Sequence, residues 1–426
     1  MHLDTEQQTA VIIGLNLDNE QFEYSMTELA ALAEANNLEV VARLVQKLDH
    51  PDKATYFGKG KVEELKMTVL DKDADMVIVN DELSPSQIRN LEKQTETKII
   101  DRTGLILEIF ANRARTHEAK LQVQLAKLQY QLPRLHTSAS QRLDQQTGSG
   151  GGGGFTNRGS GESQLELNRR VIEKDISHIK QELKDIQKSD LTQRKQRDGK
   201  NIPTVALVGY TNAGKSTIMN QLVNRYGENQ EKQVMVKNML FATLDTSVRK
   251  LIFDDNKTML LSDTVGFVSK LPHQLVKAFR STLAEAANAD LLVQVVDEAD
   301  ENKELMMKTT EQTLKEIGVE NIPMITVFNK ADILDEPRPQ RAGDNLIMAA
   351  LEEDSIDELV QIIRENSYKD YVTEEFLIPF DKGDIVNYLN TKANVLSTEY
   401  VAEGTKVKAE LTAVDSQRFK QYLINN

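Results

Sequence analysis

A glycine-rich segment near the middle of the chain constrains the fold more than any other feature. It follows the apolar run Val205–Val208 directly and opens a predicted helix. Glycines at such a turn let backbone N–H groups close around a phosphate at the positive end of a helix. The segment matches the phosphate-loop pattern at every position and comprises Gly209, Tyr210, Thr211, Asn212, Ala213, Gly214, Lys215 and Ser216. We therefore expect a nucleotide-binding α/β unit in which Lys215 bridges the β- and γ-phosphates and Ser216 binds Mg²⁺.

A second motif ends the next predicted strand, Met259–Ser262, and comprises Asp263, Thr264, Val265 and Gly266. An aspartate at this place reaches Mg²⁺ through a water molecule, and the N–H group of Gly266 can bind the γ-phosphate. This motif therefore extends the predicted site from the phosphate loop to the metal.

A third motif indicates which base is bound. It ends the strand Met324–Phe328 and comprises Asn329, Lys330, Ala331 and Asp332. We expect Asp332 to accept hydrogen bonds from N1–H and the 2-amino group of guanine, while the stem of Lys330 packs along the base. Adenine offers no such pair of donors, and leaving the carboxylate unpaired would be costly. The predicted ligands are therefore GTP and GDP.

A threonine that closes on Mg²⁺ only in the GTP state must lie between the phosphate loop and Asp263. Thr243 is the candidate, within the segment formed by Phe241, Ala242, Thr243, Leu244 and Asp245. A lone threonine is less diagnostic than the three motifs, and this assignment depends on them.

Two residues bear on the rate of GTP hydrolysis. Phe267 follows Gly266, where Ras-like proteins carry the glutamine that orients the attacking water. Phenylalanine cannot orient water, so we expect slow intrinsic hydrolysis that a partner, a bound ion or another side chain must assist. Asn212 either coordinates K⁺ against the phosphates or merely caps the loop. With Lys215, Thr243 and Gly266 it completes the predicted catalytic set.

The chain divides into four predicted domains. Residues 1–108 alternate short apolar runs with amphipathic stretches, which predicts an α/β domain with a parallel sheet. Residues 109–192 are predicted to form an antiparallel helical hairpin whose glycine-rich tip spans 147–161. Residues 200–366 are predicted to form a Ras-like phosphate-loop GTPase domain, and residues 367–426 a small α+β domain.

Two apolar stripes predict the hairpin. One consists of Leu121, Leu125, Leu128 and Leu132, and the other of Leu165, Ile172, Ile176, Ile179, Leu183 and Ile186. Pro133 is expected to end the first helix. Between the helices lies Gly148–Gly154, which is almost pure glycine and therefore loses much backbone entropy on ordering. A flexible linker and a loop that folds onto a partner both remain open.

Charge is distributed unevenly along the chain. The net charge of −14 argues against general affinity for nucleic acid, including DNA. The segment Ala111–Arg142, however, holds six basic residues against one acidic residue, a charge of +5. A solvated helix face and an RNA-binding surface are both compatible with this pattern. The candidate RNA contacts are Arg113, Arg115, Lys120, Lys127, Arg134, Arg142 and Arg158.

Composition excludes several other classes of site. The chain has no cysteine, which removes disulfides, thiolate metal sites and cysteine nucleophiles. Its six histidines are scattered without metal-ligand spacing. The polar N-terminus does not read as a signal peptide, and no run of about eighteen apolar residues predicts a membrane span. We expect a cytoplasmic protein without a membrane partner.

With these motifs in place, the chain resembles the HflX family of ribosome-associated GTPases over nearly its full length. The resemblance includes GYTNAGKST at Gly209–Thr217, FATLD at 241–245 and DTVGF at 263–267. Outside that unit it includes DELSPSQIRNLE at 81–92 and a long match at 100–135. RGSGESQLE at 158–166 is similar to the RGPGETQLE of the family.

The resemblance implies a protein that binds the large (50S) ribosomal subunit and uses GTP to split stalled or idle 70S ribosomes. The N-terminal domain and hairpin would then dock on ribosomal RNA, with the glycine-rich loop reaching towards the peptidyl-transferase centre. It also implies that Ala349, Ala350 and Leu351 contact guanine, where the family has Ser-Ala-Leu. Because most of that contact involves the backbone, we expect a modest loss of affinity. Thr246-Ser247, in place of Pro-Thr, and Ser160, in place of proline, are further departures.

One alternative belongs to a different functional class. An RNA-binding or ribosome-binding assembly or hibernation factor would use GTP mainly as a stabilising ligand, and Phe267 keeps this alternative open. An RNA-modification partner would need a second catalytic site, for which the sequence offers no candidate. Binding of ATP by the N-terminal domain has little support in the sequence.

Overall fold

The computed structural model describes residues 7–135, 158–198, 202–227, 240–241, 247–271, 284–319 and 321–424. The chain forms two compact units. The first comprises Met1–Ser189, Lys237–Asp245 and Gly266–Thr282. The second comprises Asp190–Val236, Thr246–Val265 and Leu283–Asn426. Among the described residues, no helix has the length and apolar character needed to cross a bilayer.

The first unit is built on a four-stranded parallel sheet with the order β2-β1-β3-β4. Its strands are β1 (Gln8–Asn16), β2 (Leu38–Lys47), β3 (Met76–Val79) and β4 (Lys98–Asp101). Its helices are α1 (Phe22–Ala35), α2 (Lys59–Asp71), α3 (Pro85–Thr95), α4 (Arg102–Arg113), α5 (His117–Gln131) and α6 (Arg158–Asp198). The part of α6 up to Ser189 belongs to this unit. Strand β3 is buried at all four positions, as expected for a parallel sheet covered on both faces.

Local signals set the helix starts in this unit. Ser84 and Gln87 form a reciprocal capping box at α3, and Thr116 caps α5 by accepting the N–H of Ala119 at 3.2 Å. Gly58 is the N-cap of α2, and the residues Lys59, Gly60 and Lys61 that follow it form the first turn of this helix. The predicted boundary at 108/109 falls inside α4.

Asp101, at the end of β4, is a fully buried carboxylate with several donors around it. It caps α4 by accepting the N–H of Gly104 at 2.8 Å and also accepts the N–H of Leu83 at 3.0 Å. The hydroxyl of Tyr130 donates to it at 2.7 Å, and the guanidinium of Arg134 lies 3.2 Å away. The C-terminal end of α5 is thereby tied to the sheet.

The helices α5 and α6 pack through the two predicted leucine and isoleucine stripes. The shared cluster consists of Leu121, Leu125, Leu128, Leu132, Ile172, Ile176, Ile179, Leu183 and Ile186. His117, at the start of α5, contacts Glu182 at 2.8 Å. Since the cluster extends from that end back to Ile172, the two helices run antiparallel. Of the glycine-rich tip predicted at 147–161, residues 147–157 lie outside the described residues, whereas Arg158–Gly161 belong to α6.

The second unit contains a seven-stranded sheet with the order β10-β11-β9-β8-β5-β7-β6 and a three-stranded sheet with the order β12-β14-β13. The first part comprises β5 (Thr204–Gly209), α7 (Lys215–Tyr226), β6 (Ser247–Ile252), β7 (Thr258–Asp263), α8 (Ala284–Ala287), β8 (Leu291–Asp297), α9 (Lys303–Glu316), β9 (Met324–Asn329), β10 (Gln340–Ala342), β11 (Asn345–Ile347) and α10 (Glu353–Ser367). The second comprises β12 (Tyr371–Ile378), α11 (Gly383–Lys392), β13 (Asn394–Val401), β14 (Gly404–Thr412) and α12 (Ala413–Arg418).

The predicted fold class is confirmed, with local differences at edges. Strand β6 runs antiparallel to β7 at the sheet edge, and its sequence gave no strong alternation to predict it. The sequence also predicts a strand at Leu346–Ala350, but β11 ends earlier, at Ile347, and the N–H of Ala350 bonds to the side chain of Asn329 instead of a neighbouring strand. The sequence also predicts a helix near His273–Ala287, and most of that stretch lies outside the described residues.

Candidate guanine-nucleotide site

The phosphate loop lies where β5 ends and α7 begins, and two of its positions admit only glycine. Gly209 has φ +142°, and a Cβ atom there would lie 2.2 Å from the main-chain oxygen of Val295. Gly214 has φ +102°, and its Cβ would lie 2.1 Å from the side chain of Asn329. Asn212, between them, has φ +61°, a conformation that asparagine tolerates better than most residues. Close packing thus dictates the glycine pattern.

Lys215 is the first residue of α7, and its ammonium group is buried inside the loop. It donates to the main-chain oxygens of Gly209 at 3.0 Å and Tyr210 at 2.7 Å. Burial lowers the pKa of Lys215 to about 8, while the nearby Asp263 carboxylate acts in the opposite direction. A cation held this way gains most from a bound anion, because water solvates it poorly.

Two of the predicted metal ligands lie together, Ser216 in the first turn of α7 and Asp263 at the end of β7. The hydroxyl of Ser216 donates to Asp263 at 2.7 Å, and Asp263 is fully buried. Thr264 is anchored beside them through a 2.7 Å hydrogen bond to the oxygen of Leu207. A hydroxyl and a carboxylate are hard oxygen ligands of the kind that Mg²⁺ prefers, so this donor set fits Mg²⁺.

Asn329 joins the phosphate loop to the predicted base-binding loop. Its Nδ2 donates to the oxygen of Ala213 at 2.9 Å, and its Oδ1 accepts the N–H of Ala350 at 2.9 Å. Asp332 lies in the short 3₁₀ helix Ala331–Leu334 and is exposed. The structure therefore brings the third motif next to the first, with the Asp332 carboxylate open to a ligand.

The neighbouring residues hold this loop in place. Lys330, with φ +68°, pairs with Asp297 at 2.6 Å. Ala349 donates its N–H to the hydroxyl of Ser355 at 3.2 Å. Leu351 is 74% exposed. The backbone of residues 349–351 is thus fixed without a serine at position 349.

Other predicted site residues belong to the first unit. Gly266 is one of them, and so is Phe241, whose buried ring packs edge-on against Phe110 with centroids 4.6 Å apart. The ring of Phe241 therefore anchors its segment in a core, and the predicted contact of this residue with GTP is left to its backbone. The segment Ala242–Asp245, including Thr243, lies outside the described residues. Phe267 is 1% exposed, so its ring is directed into protein.

A buried polar cluster beside Gly266 was not predicted. Arg102 forms a buried ion pair with Glu28, and its guanidinium also donates to the main-chain oxygen and hydroxyl of Ser269 at 3.2 and 3.0 Å. Asn80 accepts a further hydrogen bond from Arg102 at 2.9 Å. The only local signal is an arginine at the start of an otherwise apolar helix, and its partners are distant in sequence.

The candidate RNA contacts divide into two groups. Arg115 and Lys120 are exposed, and Lys127 is half-buried. Arg134 pairs with Asp101, donates to the oxygen of Leu83 at 3.0 Å and lies 3.5 Å from the ring centre of Tyr130. We correct our expectation for Arg134, because these contacts engage its guanidinium within the protein.

The remaining candidates give less information. Arg113 is half-buried and donates to the oxygen of Ala35 at 3.2 Å. Arg142 lies outside the described residues, and Arg158 is the first described residue of α6. Among the candidate RNA contacts in the described part of the hairpin, the exposed side chains are therefore those of Arg115 and Lys120.

Three family models match consecutive parts of the chain. Residues 23–111 match "GTP-binding GTPase N-terminal", residues 113–197 match "GTP-binding GTPase Middle Region", and residues 204–330 match "50S ribosome-binding GTPase". A solved GTP-binding protein of Sulfolobus solfataricus in complex with GDP is 24% identical, covering 85% of this chain and 99% of that one, with a TM-score of 0.44. That low score alone establishes neither a shared fold nor a shared ligand.

Curated relatives match over most of the length of both chains. The GTPase HflX of Caldanaerobacter subterraneus subsp. tengcongensis is 40% identical, covering 99% of this chain and 95% of the relative. The GTPase HflX of Alkalihalophilus pseudofirmus is 41% identical, covering 83% and 81%. The phosphate-loop geometry and these matches both indicate a GTPase. The protein belongs to the HflX family of GTPases, which hydrolyse GTP to GDP and phosphate.

Proposed function

We propose that this GTPase binds the large ribosomal subunit and uses GTP to separate stalled or idle 70S ribosomes. The observation that carries the proposal is the match to HflX GTPases along almost the entire chain, including the hairpin and the N-terminal unit. The model that matches residues 204–330 is itself described as ribosome-binding. A ribosomal partner requires surfaces beyond the nucleotide site, and these flanking units provide them.

In this proposal the nucleotide is held by the three motifs. Lys215 neutralises the β- and γ-phosphates, Gly266 donates its N–H to the γ-phosphate, and Asp332 pairs with guanine. Further contacts come from the phosphate loop and the loops around the base, including Thr211, Thr217, Val265, Asn329 and the backbone of 349–351. Mg²⁺, held by Ser216 and by Asp263 through water, neutralises charge that develops on the phosphates. Thr243 closes on the metal when GTP is bound.

Hydrolysis is expected to be slow without a partner. Phe267 cannot orient water, and its buried ring offers no polar group near Gly266. We assign the missing assistance to the ribosome, with K⁺ held at Asn212 as an additional contribution. The positive φ of Asn212 places this residue at the bend of the loop that surrounds the phosphates.

Contact with ribosomal RNA is assigned to the hairpin. Arg115, two residues before α5, and Lys120, near its start, are exposed and would neutralise phosphates of the RNA backbone. This fits an acidic protein in which positive charge is concentrated in one segment.

The test is GTP turnover by the purified protein with and without large ribosomal subunits, in potassium and then in sodium. Lys215→Ala serves as the blank. We expect strong stimulation by the subunit that disappears in the blank, and a partial loss in sodium if Asn212 holds K⁺. Sucrose-gradient sedimentation of 70S ribosomes with the protein and a non-hydrolysable GTP analogue tests splitting directly.

One other function stays open because of Phe267. A ribosome-binding assembly or hibernation factor would keep GTP bound with negligible turnover. Turnover that does not respond to the subunit, together with subunit binding that depends on GTP, would favour this second function.

A further inference from the structure

The segment Gly266–Lys270 begins with the last residue of the second motif and is held by buried side chains, hydrogen bonds and an ion pair. Phe267 and Val268 are buried, at 1% and 0% exposure. Ser269 is hydrogen-bonded through both its backbone and its hydroxyl. The hydrogen-bond partners of Ser269 are residues of the first unit, to which the segment belongs.

The principal contact is the buried pair formed by Arg102 and Glu28. Their side chains are only 2% and 3% exposed. Arg102 donates to both oxygens of Ser269, and Glu28 accepts the hydroxyl of Ser269 and its N–H at 3.4 Å. A guanidinium presents several donors in a fixed plane, so it can hold two atoms of one residue in a defined orientation.

A second contact holds the next residue. Lys270 pairs with Asp81 at 2.5 Å, and Asp81 also accepts the hydroxyl of Tyr56 at 2.5 Å. That hydroxyl in turn accepts the N–H of Leu15 at 3.0 Å. The contacts therefore trace back to β1 and to the residues that follow β3.

These contacts lie at the carboxyl edge of the parallel sheet, between β1 and β3. In open α/β sheets this edge is the usual place for a ligand. Here Arg102 and Asp81, which follow the ends of β4 and β3, contact the chain's own residues 269 and 270, and Asn80 accepts a hydrogen bond from Arg102. The carboxyl edge of the sheet in the first unit thus holds the segment that contains Gly266.

We propose that Arg102 and Glu28 are positioning residues for GTP, acting through Ser269 on Gly266. The inference rests on the proposed contact between Gly266 and the γ-phosphate. A segment that is ordered before binding loses less conformational entropy when the γ-phosphate arrives. GDP has no γ-phosphate, so the advantage applies to GTP and not to GDP.

Ser269→Ala in the full-length protein is the decisive variant, because it removes the hydroxyl and leaves the Arg102–Glu28 pair intact. We expect the affinity for a non-hydrolysable GTP analogue to fall about three- to tenfold, the effect of losing one or two hydrogen bonds. The affinity for GDP should stay within about twofold. Ser269→Thr, which keeps a hydroxyl, should restore most of the loss.

Glu23→Gln is the matched control. Glu23 lies on the same helix as Glu28 but pairs with Arg43 at 2.7 Å on the surface. Both nucleotides should bind this control as they bind the unmodified protein. Binding is measured by isothermal titration calorimetry, with circular dichroism to verify folding.

Two results would overturn the proposal. One is an equal loss for the GTP analogue and GDP in Ser269→Ala, and the other is no change for either. Gly266→Ala separates this inference from the proposed site. If Gly266→Ala weakens the GTP analogue selectively and Ser269→Ala does not, only the positioning role is refuted. If Gly266→Ala has no selective effect, the proposed γ-phosphate contact itself fails.

Discussion

Asn329 donates a 2.9 Å hydrogen bond from its side-chain amide to the main-chain oxygen of Ala213, although the two residues lie 116 positions apart. The other end of the same amide accepts the N–H of Ala350. One side chain therefore fixes the distance between the phosphate loop and the loop assigned to guanine.

Asn329→Ala should weaken GTP and GDP binding by the same factor, about tenfold or more, since it leaves two buried backbone groups without partners. The contact is common to both nucleotides, so their affinity ratio should not change. Titration with fluorescent GDP and a fluorescent GTP analogue measures both constants. A selective loss of one nucleotide would contradict this role.

Lys215 should make nucleotide affinity sensitive to pH. Burial lowers its pKa to about 8 from the ordinary 10.5, so the free protein loses the ammonium charge as pH rises through 8. Phosphate binding requires that charge, and affinity should therefore be about tenfold weaker at pH 9 than at pH 7. Lys215→Arg, whose side chain stays charged, is the control for titration of guanine itself. A parallel decline in both proteins would exclude Lys215 as the cause.

Asp332→Asn should exchange base specificity. An amide in place of the carboxylate cannot accept from both donors of guanine, so GTP affinity should fall by about a hundredfold or more. Xanthine carries an oxygen where guanine has its 2-amino group, and the asparagine amide can donate to it. Competition between GTP and XTP for the variant measures the exchange, and Asp335→Asn, three residues away, serves as the control. Retained preference for GTP would refute the assignment.

Ser216→Ala should weaken the dependence of nucleotide binding on Mg²⁺. The hydroxyl lies 2.7 Å from Asp263, and its removal leaves one fewer oxygen ligand for the metal. GTP affinity should fall at saturating Mg²⁺ and should change little when EDTA is added. Mg²⁺ titrations at fixed nucleotide test this, with Ser397→Ala, at an exposed position of β13, as the control. An unchanged response to Mg²⁺ would remove Ser216 from the metal site.

Substitution of Arg134 should affect stability, whereas substitution of Lys120 should affect binding to the large ribosomal subunit. Arg134→Ala removes a cation from the fully buried Asp101 and should reduce the free energy of unfolding by about 1–3 kcal/mol. Lys120→Ala should leave stability unchanged and lower the salt dependence of large-subunit binding by about one ion. Urea unfolding and binding at several salt concentrations distinguish the two effects. Loss of stability in Lys120→Ala would argue against an RNA contact at that position.

Features encoded within a few neighbouring residues could be predicted from the sequence. The glycine pattern of the phosphate loop reflects a backbone that passes within van der Waals distance of Val295 and Asn329, and such crowding has a local signature. The leucine and isoleucine stripes of α5 and α6 likewise gave their packing, because helical periodicity determines which residues share a face.

Features that depend on distant partners could not be predicted. Arg134 has the same chemistry as a surface arginine until Asp101 and Tyr130 are brought next to it. Phe241 was assigned to a nucleotide segment by its neighbours, and only the fold brings its ring against Phe110. Glu28 and Ser269 are 241 residues apart, and neither carries a local sign of the other.

The contacts at Asp101 restrict how far the C-terminal end of α5 can move relative to the sheet. A helix joined to a domain through a loose linker can swing without moving anything at its base. Here the end of α5 is hydrogen-bonded to Asp101 through Tyr130 and Arg134, and Arg102 is the next residue in the chain. Two adjacent residues therefore connect the hairpin to Ser269, because Asp101 holds the end of α5 and the guanidinium of Arg102 holds Ser269.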